Sequence, residues 1–121
     1  MDPKRLVLGG RSMGGRMCSM AVAEGLPAAG VVLIAYPLHP PGRPENLRTE
    51  HLGSLRVPSV WLCGDRDPFG TPDELALAQA LVEGPVTSRT LDGRHDLKGC
   101  DAVVAAELWD WLGLRRRPSP R

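Results

Sequence analysis

A chain of 121 residues is long enough for one domain and short for two. Fifteen Lys and Arg against fourteen Asp and Glu give a formal charge of +1, which argues against a basic nucleic-acid binder. The 42% of hydrophobic residues argues against disorder throughout, yet no apolar run approaches the length of a membrane span.

Fourteen Gly and twelve Pro call for short elements and tight turns. Leu6-Val7-Leu8, closed by Gly9-Gly10, reads as a buried parallel strand. Gly14 to Glu24 reads as a helix with Met13, Met17, Met20 and Ala21 on one face, stopped by Gly25 and Pro27. Val31 to Tyr36 is a second buried strand. Pro37 to Arg56 is a long Pro-rich connection with a short helical turn near Leu47 to Leu52. Pro58 to Cys63 is a third strand, with its proline at the first position, where a missing N–H is tolerated.

Thr71-Pro72-Asp73-Glu74 opens the next helix. Thr71 serves as N-cap, Pro72 takes the first helical position, and Glu74 closes a capping box. That helix is expected to run to about Val82 and to end at Gly84-Pro85. Val86 to Leu91 is a fourth strand. Asp101 to Leu112 is the last helix, with Val104, Leu108, Trp111 and Leu112 on one side. This alternation predicts an α/β fold, a parallel four-stranded sheet with flanking helices and the strands in chain order. Residues 1–112 form the domain. Residues 113–121, with Arg115, Arg116, Arg117 and Arg121, read as a disordered, basic, Pro-containing tail. A solubilising end is the better reading of that tail, with a nucleic-acid or phosphate contact as the alternative.

Cys18, Cys63 and Cys100 have no CxxC or CxxH spacing, so three reduced thiols are expected and no metal site. The opening "MDPKRLVLGG" has no signal-peptide pattern, and a cytoplasmic location is expected.

The sharpest local motif is Gly10-Arg11-Ser12-Met13-Gly14, a G-x-S-x-G. Chance supplies about 0.08 such matches at this composition, so context carries the weight. The motif leaves a predicted strand and opens a predicted helix, as a nucleophile elbow does. Its glycines let strand and helix approach, and the helix start aims N–H groups and a positive dipole end at an oxyanion. The competing reading is a Gly-rich turn with a solvent-facing serine.

A serine nucleophile needs a base and an acid that orients it, in the order Ser, acid, His, on loops after later strands. The third strand runs into Gly64-Asp65-Arg66-Asp67-Pro68, and the fourth into Asp92-Gly93-Arg94-His95-Asp96. His95 is the preferred base and Asp67 the preferred acid, with Asp65 as the alternative. Asp96 reads as a helix-entry acid and Asp92 as a turn former. His39 and His51, in the Pro-rich connection, read as surface or pocket residues. Arg11 and Arg16 flank the serine; they either favour an anionic acyl group or are solvent-exposed residues of the helix start.

"GGRSMGGRM", "YPLHPPGRPE", "GDRDPFGTPDEL" and "GRHDLK" resemble the α/β-hydrolase superfamily, nearest its bacterial dienelactone-hydrolase-like branch. That branch is also similar to a subunit of the non-specific-lethal histone acetyltransferase complex. The resemblance runs from Lys4 to about Leu112. It implies Ser12 as nucleophile, Asp67 as acid, His95 as base, and the backbone N–H of Met13 in an oxyanion hole. The chain matches the C-terminal half only, a partial domain without the earlier strands or the loop that supplies a second oxyanion donor.

The expected function is therefore a serine hydrolase of esterase or lactonase type, working through an acyl-enzyme without cofactor or metal. Its expected partner is a small ester or lactone, not nucleic acid or membrane. The unpaired first strand invites homo-oligomerisation. Little or no turnover is expected of these 121 residues alone. The alternative is a non-catalytic α/β-hydrolase-like scaffold for protein interactions.

Overall fold

The computed structural model describes residues 5–113. The basic tail expected at 113–121 lies outside the described residues apart from Gly113.

Four strands, β1 (Val7–Arg11), β2 (Gly30–Ile34), β3 (Ser59–Gly64) and β4 (Val86–Leu91), form one parallel sheet in the order β1–β2–β3–β4. Three helices, α1 (Met13–Ala23), α2 (Pro72–Gln79) and α3 (Asp101–Trp111), alternate with them. The expected parallel sheet in chain order is thus the observed one.

Side-chain alternation builds two cores. On one face Val31 and Leu33 of β2 and Trp61 and Cys63 of β3 pack with Val22 of α1 and Leu75 and Ala78 of α2. On the other, Val32, Val60 and Leu62 pack with Val104 of α3. The sheet is therefore covered on both faces, and β3 is buried along its whole length. Trp61 is fully buried, and its indole N–H donates to Ser59 Oγ at 3.0 Å, so burying the ring leaves no unmet donor.

Several element ends differ from the sequence reading for local reasons. β1 continues through Gly9-Gly10 to Arg11, because the ladder to β2 extends to Gly10–Leu33 and Arg11–Ile34. β2 stops at Ile34, since Ala35 turns into the left-handed region with φ of 56°. α2 ends at Gln79; beyond it Leu81 and Val82 donate to carbonyls three residues back, so the chain tightens before Gly84. The turn in the long connection falls at Leu52–Ser54 as one 3-10 turn.

Two helix faces need correction. α1 buries Gly15, Ser19 and Val22, while Met13 and Met17 are exposed. In α3, Val104 is buried and Leu108 and Trp111 pack beside it, but Leu112 points outward. Among the described residues no helix is long and apolar enough to cross a membrane.

Candidate active site

Ser12 sits between the last residue of β1 and the first of α1. Its φ of 54° and ψ of −126° place a non-glycine residue in a strained conformation. The surroundings enforce it. Ser12 N–H donates to Ile34 O at 2.7 Å, extending the sheet ladder, while its carbonyl accepts from Arg16 N–H at 3.1 Å and starts the helix. One residue thus ends a strand and opens a helix.

The glycines that permit this are not quite those of the motif. A Cβ on Gly10 would lie 2.6 Å from the backbone of Gly14 and Gly15, and one on Gly15 would lie 2.5 Å from Gly10 O. A Cβ on Gly14 would meet nothing within 4 Å. Strand and helix touch through Gly10 and Gly15, so the motif's second glycine does not make the close approach expected of it.

In a parallel sheet all loops that follow strands emerge at one end. Asp67 lies three residues beyond β3 and His95 four beyond β4. Strand spacing sets about 14 Å between β1 and β4, so the His95 loop must reach back over the sheet. Two contacts hold it there. Asp65 Oδ1 accepts from Gly93 N–H at 3.0 Å, and the Arg11 guanidinium donates to Asp96 O at 2.8 Å.

The result is a continuous polar chain. Ser12 Oγ lies 2.8 Å from His95 Nε2, and His95 Nδ1 lies 2.7 Å from Asp67 Oδ2. An ionised carboxylate only accepts, so His95 Nδ1 carries the proton and Nε2 presents a lone pair to the Ser12 hydroxyl. Asp67 is 3% exposed, and its other oxygen accepts from Phe69 N–H at 2.8 Å. The Phe69 ring lies 4.1 Å, centroid to centroid, from the His95 imidazole. Such a chain can pass a hydroxyl proton to the imidazole while the carboxylate stabilises the imidazolium. Met13 is the first residue of α1, and its backbone N–H belongs to the turn that lacks intrahelical acceptors.

The other candidates fall elsewhere. Asp65 makes the Gly93 contact and lies 3.8 Å from Arg66, which also pairs with Asp92 at 2.9 Å. Asp96 Oδ1 accepts from Lys98 N–H at 3.1 Å, a local turn bond. Arg16 is half-buried, with a buried Nε that bonds nothing among the described residues. Burial pushes the neighbouring Tyr36 hydroxyl up to about 12, against the opposing charge of Arg16. The hydroxyl donates to Arg48 O at 2.8 Å. His51 is half-buried and donates from Nε2 to Ser19 Oγ at 2.7 Å, while Ser19 donates to Arg16 O. Burial first, and Arg16 second, hold the His51 pKa below its ordinary value. His39 is buried, which excludes the surface placement of the two expected for it.

Cys18, Cys63 and Cys100 are free thiols, and burial pushes Cys63 up to about 12. Among the described residues no group of three or more His, Cys, Asp or Glu is placed to hold a metal ion. Sequence reasoning missed Phe69 and Gly15. A second glycine after the motif was a visible signal for Gly15; Phe69 had none, because its role depends on the path of a loop.

The alpha/beta hydrolase domain family matches residues 1–104. The chain belongs to this family. Among solved structures it is similar to the esterase domain of a Rhodothermus marinus protein, with a TM-score of 0.69 at 19% identity over 87% of this chain and 58% of that one. It is also similar to DcsB, solved in complex with its substrate analogue, with a TM-score of 0.74 at 15% identity over 93% of this chain and 64% of that one. The type II thioesterase BorB of the borrelidin biosynthetic cluster gives a TM-score of 0.67 at 20% identity over 97% of this chain and 65% of that one. The chain therefore spans about three-fifths of the length of these structures.

Proposed function

We propose that this α/β-hydrolase chain carries the catalytic residues of a serine esterase or lactonase. The observation that carries the reading is the hydrogen-bonded chain from Ser12 through His95 to Asp67, with Ser12 strained at the elbow. Ser12 Oγ attacks the ester carbonyl carbon while His95 Nε2 takes its proton. The carbonyl π pair moves onto oxygen, and the Met13 N–H at the start of α1 stabilises the oxyanion. The tetrahedral intermediate collapses and the C–O bond to the alcohol breaks. The proton returns from His95 to that alcohol, leaving an acyl-serine. Water, giving a proton to His95, then attacks the acyl carbon; the bond from that carbon to Ser12 Oγ breaks, His95 returns the proton to Ser12 Oγ, and the acid leaves. Asp67 holds the tautomer throughout.

The substrate of this reading is a small ester or lactone. The four motifs "GGRSMGGRM", "YPLHPPGRPE", "GDRDPFGTPDEL" and "GRHDLK", which together resemble the dienelactone-hydrolase-like branch, support it. So does the short Pro37–Arg56 connection, which leaves little room for a lipid site. Three free thiols favour a reducing, cytoplasmic setting. In the same reading residues 1–112 are the triad-bearing part of the domain, with one oxyanion donor. Losing a donor costs about 10² to 10³ in kcat, so these residues alone turn over slowly. Among the described residues β1 pairs on one side only, and the chain self-associates through that edge.

A fluorophosphonate probe tests the reading. Labelling of the wild type but not of Ser12→Ala supports it. Absence of labelling, together with no p-nitrophenyl ester turnover in a longer form of the protein, favours the scaffold role instead.

A further inference from the structure

His39 stands outside the Ser12–His95–Asp67 chain and is 4% exposed. Each of its ring nitrogens meets an oxygen. Nδ1 lies 2.8 Å from Pro40 O, and Nε2 lies 3.0 Å from Glu74 Oε1. A carbonyl oxygen and an ionised carboxylate both accept only. A neutral imidazole has one N–H and would turn a bare lone pair toward one of them. Two protons on the ring satisfy both contacts.

Glu74 is a natural carboxylate here. It sits in the first turn of α2, where the helix dipole favours negative charge, and the same Oε1 accepts from Thr71 N–H at 2.9 Å. The proton therefore belongs on His39.

The residue also grips the acid-bearing loop by its main chain. His39 N–H donates to Phe69 O at 3.0 Å. Phe69 N–H donates to Asp67, and the Phe69 ring lies against His95. The segment from Asp67 to Glu74 is thus tied to the long connection at two points, Phe69 and Glu74.

We propose that His39 is a positioning residue, held as an imidazolium between Pro40 and Glu74, that sets where Asp67 and Phe69 meet His95. The catalytic consequence rests on the hydrolase reading; the protonation of His39 does not. Burial alone would lower the His39 pKa. The bonds to Glu74 and Pro40, with the charges of Glu74 from α2 and Glu45 from the connection, outweigh burial and raise it. Glu74 is shifted down, first by the His39 bond and then by the Thr71 N–H. The raised His39 value means the brace is complete below the ordinary histidine pKa of about 6.5 and is lost as pH rises through the raised value.

The test uses the whole chain labelled with ¹⁵N-histidine, following imidazole resonances from about pH 5 to 10. Both His39 nitrogens are expected to be protonated at neutral pH. Glu74→Gln keeps a side chain able to complete the capping box and removes only the charge. It is expected to lower the His39 midpoint and to move the Nδ1 proton resonance of His95. A His39 with one bare nitrogen at neutral pH overturns the imidazolium. A His95 resonance unmoved by Glu74→Gln overturns the positioning role, whether or not His39→Gln folds. Fluorophosphonate labelling separates this from the function. A wild type that never labels counts against the hydrolase reading alone, since the titration still decides His39. In a wild type that labels, Glu74→Gln is expected to slow the labelling rate about ten- to a hundredfold in the pH range between the variant's lowered His39 midpoint and that of the wild type. An unchanged rate in that range overturns the positioning role.

Discussion

Ser12 and the glycines around it differ in what they tolerate. Gly15 has no room for a methyl group, since a Cβ there would lie 2.5 Å from Gly10 O. Gly15→Ala must push strand and helix apart, and is expected to cost about 1–3 kcal/mol. It should also lower the rate of Ser12 labelling. Gly14 lies in the first turn of α1 with open space at its Cβ position. Gly14→Ala is expected to be neutral or to stabilise by up to about 1 kcal/mol, because alanine is the better helix former. Urea unfolding of both variants checks the contrast, and equal losses would refute it. The polar chain makes a separate prediction. On any ester the protein turns over, Ser12→Ala or His95→Ala is expected to lower kcat by about 10⁴ to 10⁶, and Asp67→Asn by less. A Ser12→Ala variant as active as wild type removes the nucleophile assignment.

Among the elements, α2 has the firmest local signal. Thr71 Oγ1 accepts from Glu74 N–H at 3.2 Å and Glu74 Oε1 from Thr71 N–H at 2.9 Å. Thr71→Ala removes one half of this box and is expected to cost about 1 kcal/mol, read as a fall in melting temperature. A variant that melts with the wild type would show that Glu74 caps the helix unaided. This helix start was legible in the sequence because its chemistry is local: four adjacent residues hold all the information. β3 was legible for a similar reason, as a short apolar run buried on both faces. The buried face of α1 was not. Apolar spacing pointed to the methionines, yet Gly15 packs against Gly10 of β1, where only a small residue fits, and Ser19 is buried with its hydroxyl on His51 of the connection. At the site, Ser12, Asp67 and His95 could be named because each follows a strand end in a parallel sheet. The burial of His39 could not be read, since the connection's path is set by contacts with distant segments such as His39 N–H to Phe69 O.

For the whole molecule the open question is the edge at β1. Among the described residues the sheet pairs β1 only with β2, and β3, buried throughout, has partners on both sides. Ser12 N–H donates to Ile34 O and Leu6 O accepts from Ala29 N–H, so alternation turns the N–H and C=O of Leu8 and Gly10 toward β2 as well. Those of Val7, Gly9 and Arg11 face outward, a row of backbone groups that a second strand can pair. The expected outcome is a chain that elutes above its monomer mass and shifts toward monomer on dilution. Val7→Pro tests the route. It deletes one outward N–H at the first strand position, where proline is tolerated, and leaves the ladder to β2 intact. The variant is expected to lose association while keeping the far-ultraviolet circular dichroism of the wild type. Some stability is lost as well, because Val7 packs beside the core under α3, so both spectra are compared well below the melting transition. A wild type that is monomeric at every concentration, or a folded Val7→Pro variant that associates as before, would place the contact somewhere other than β1.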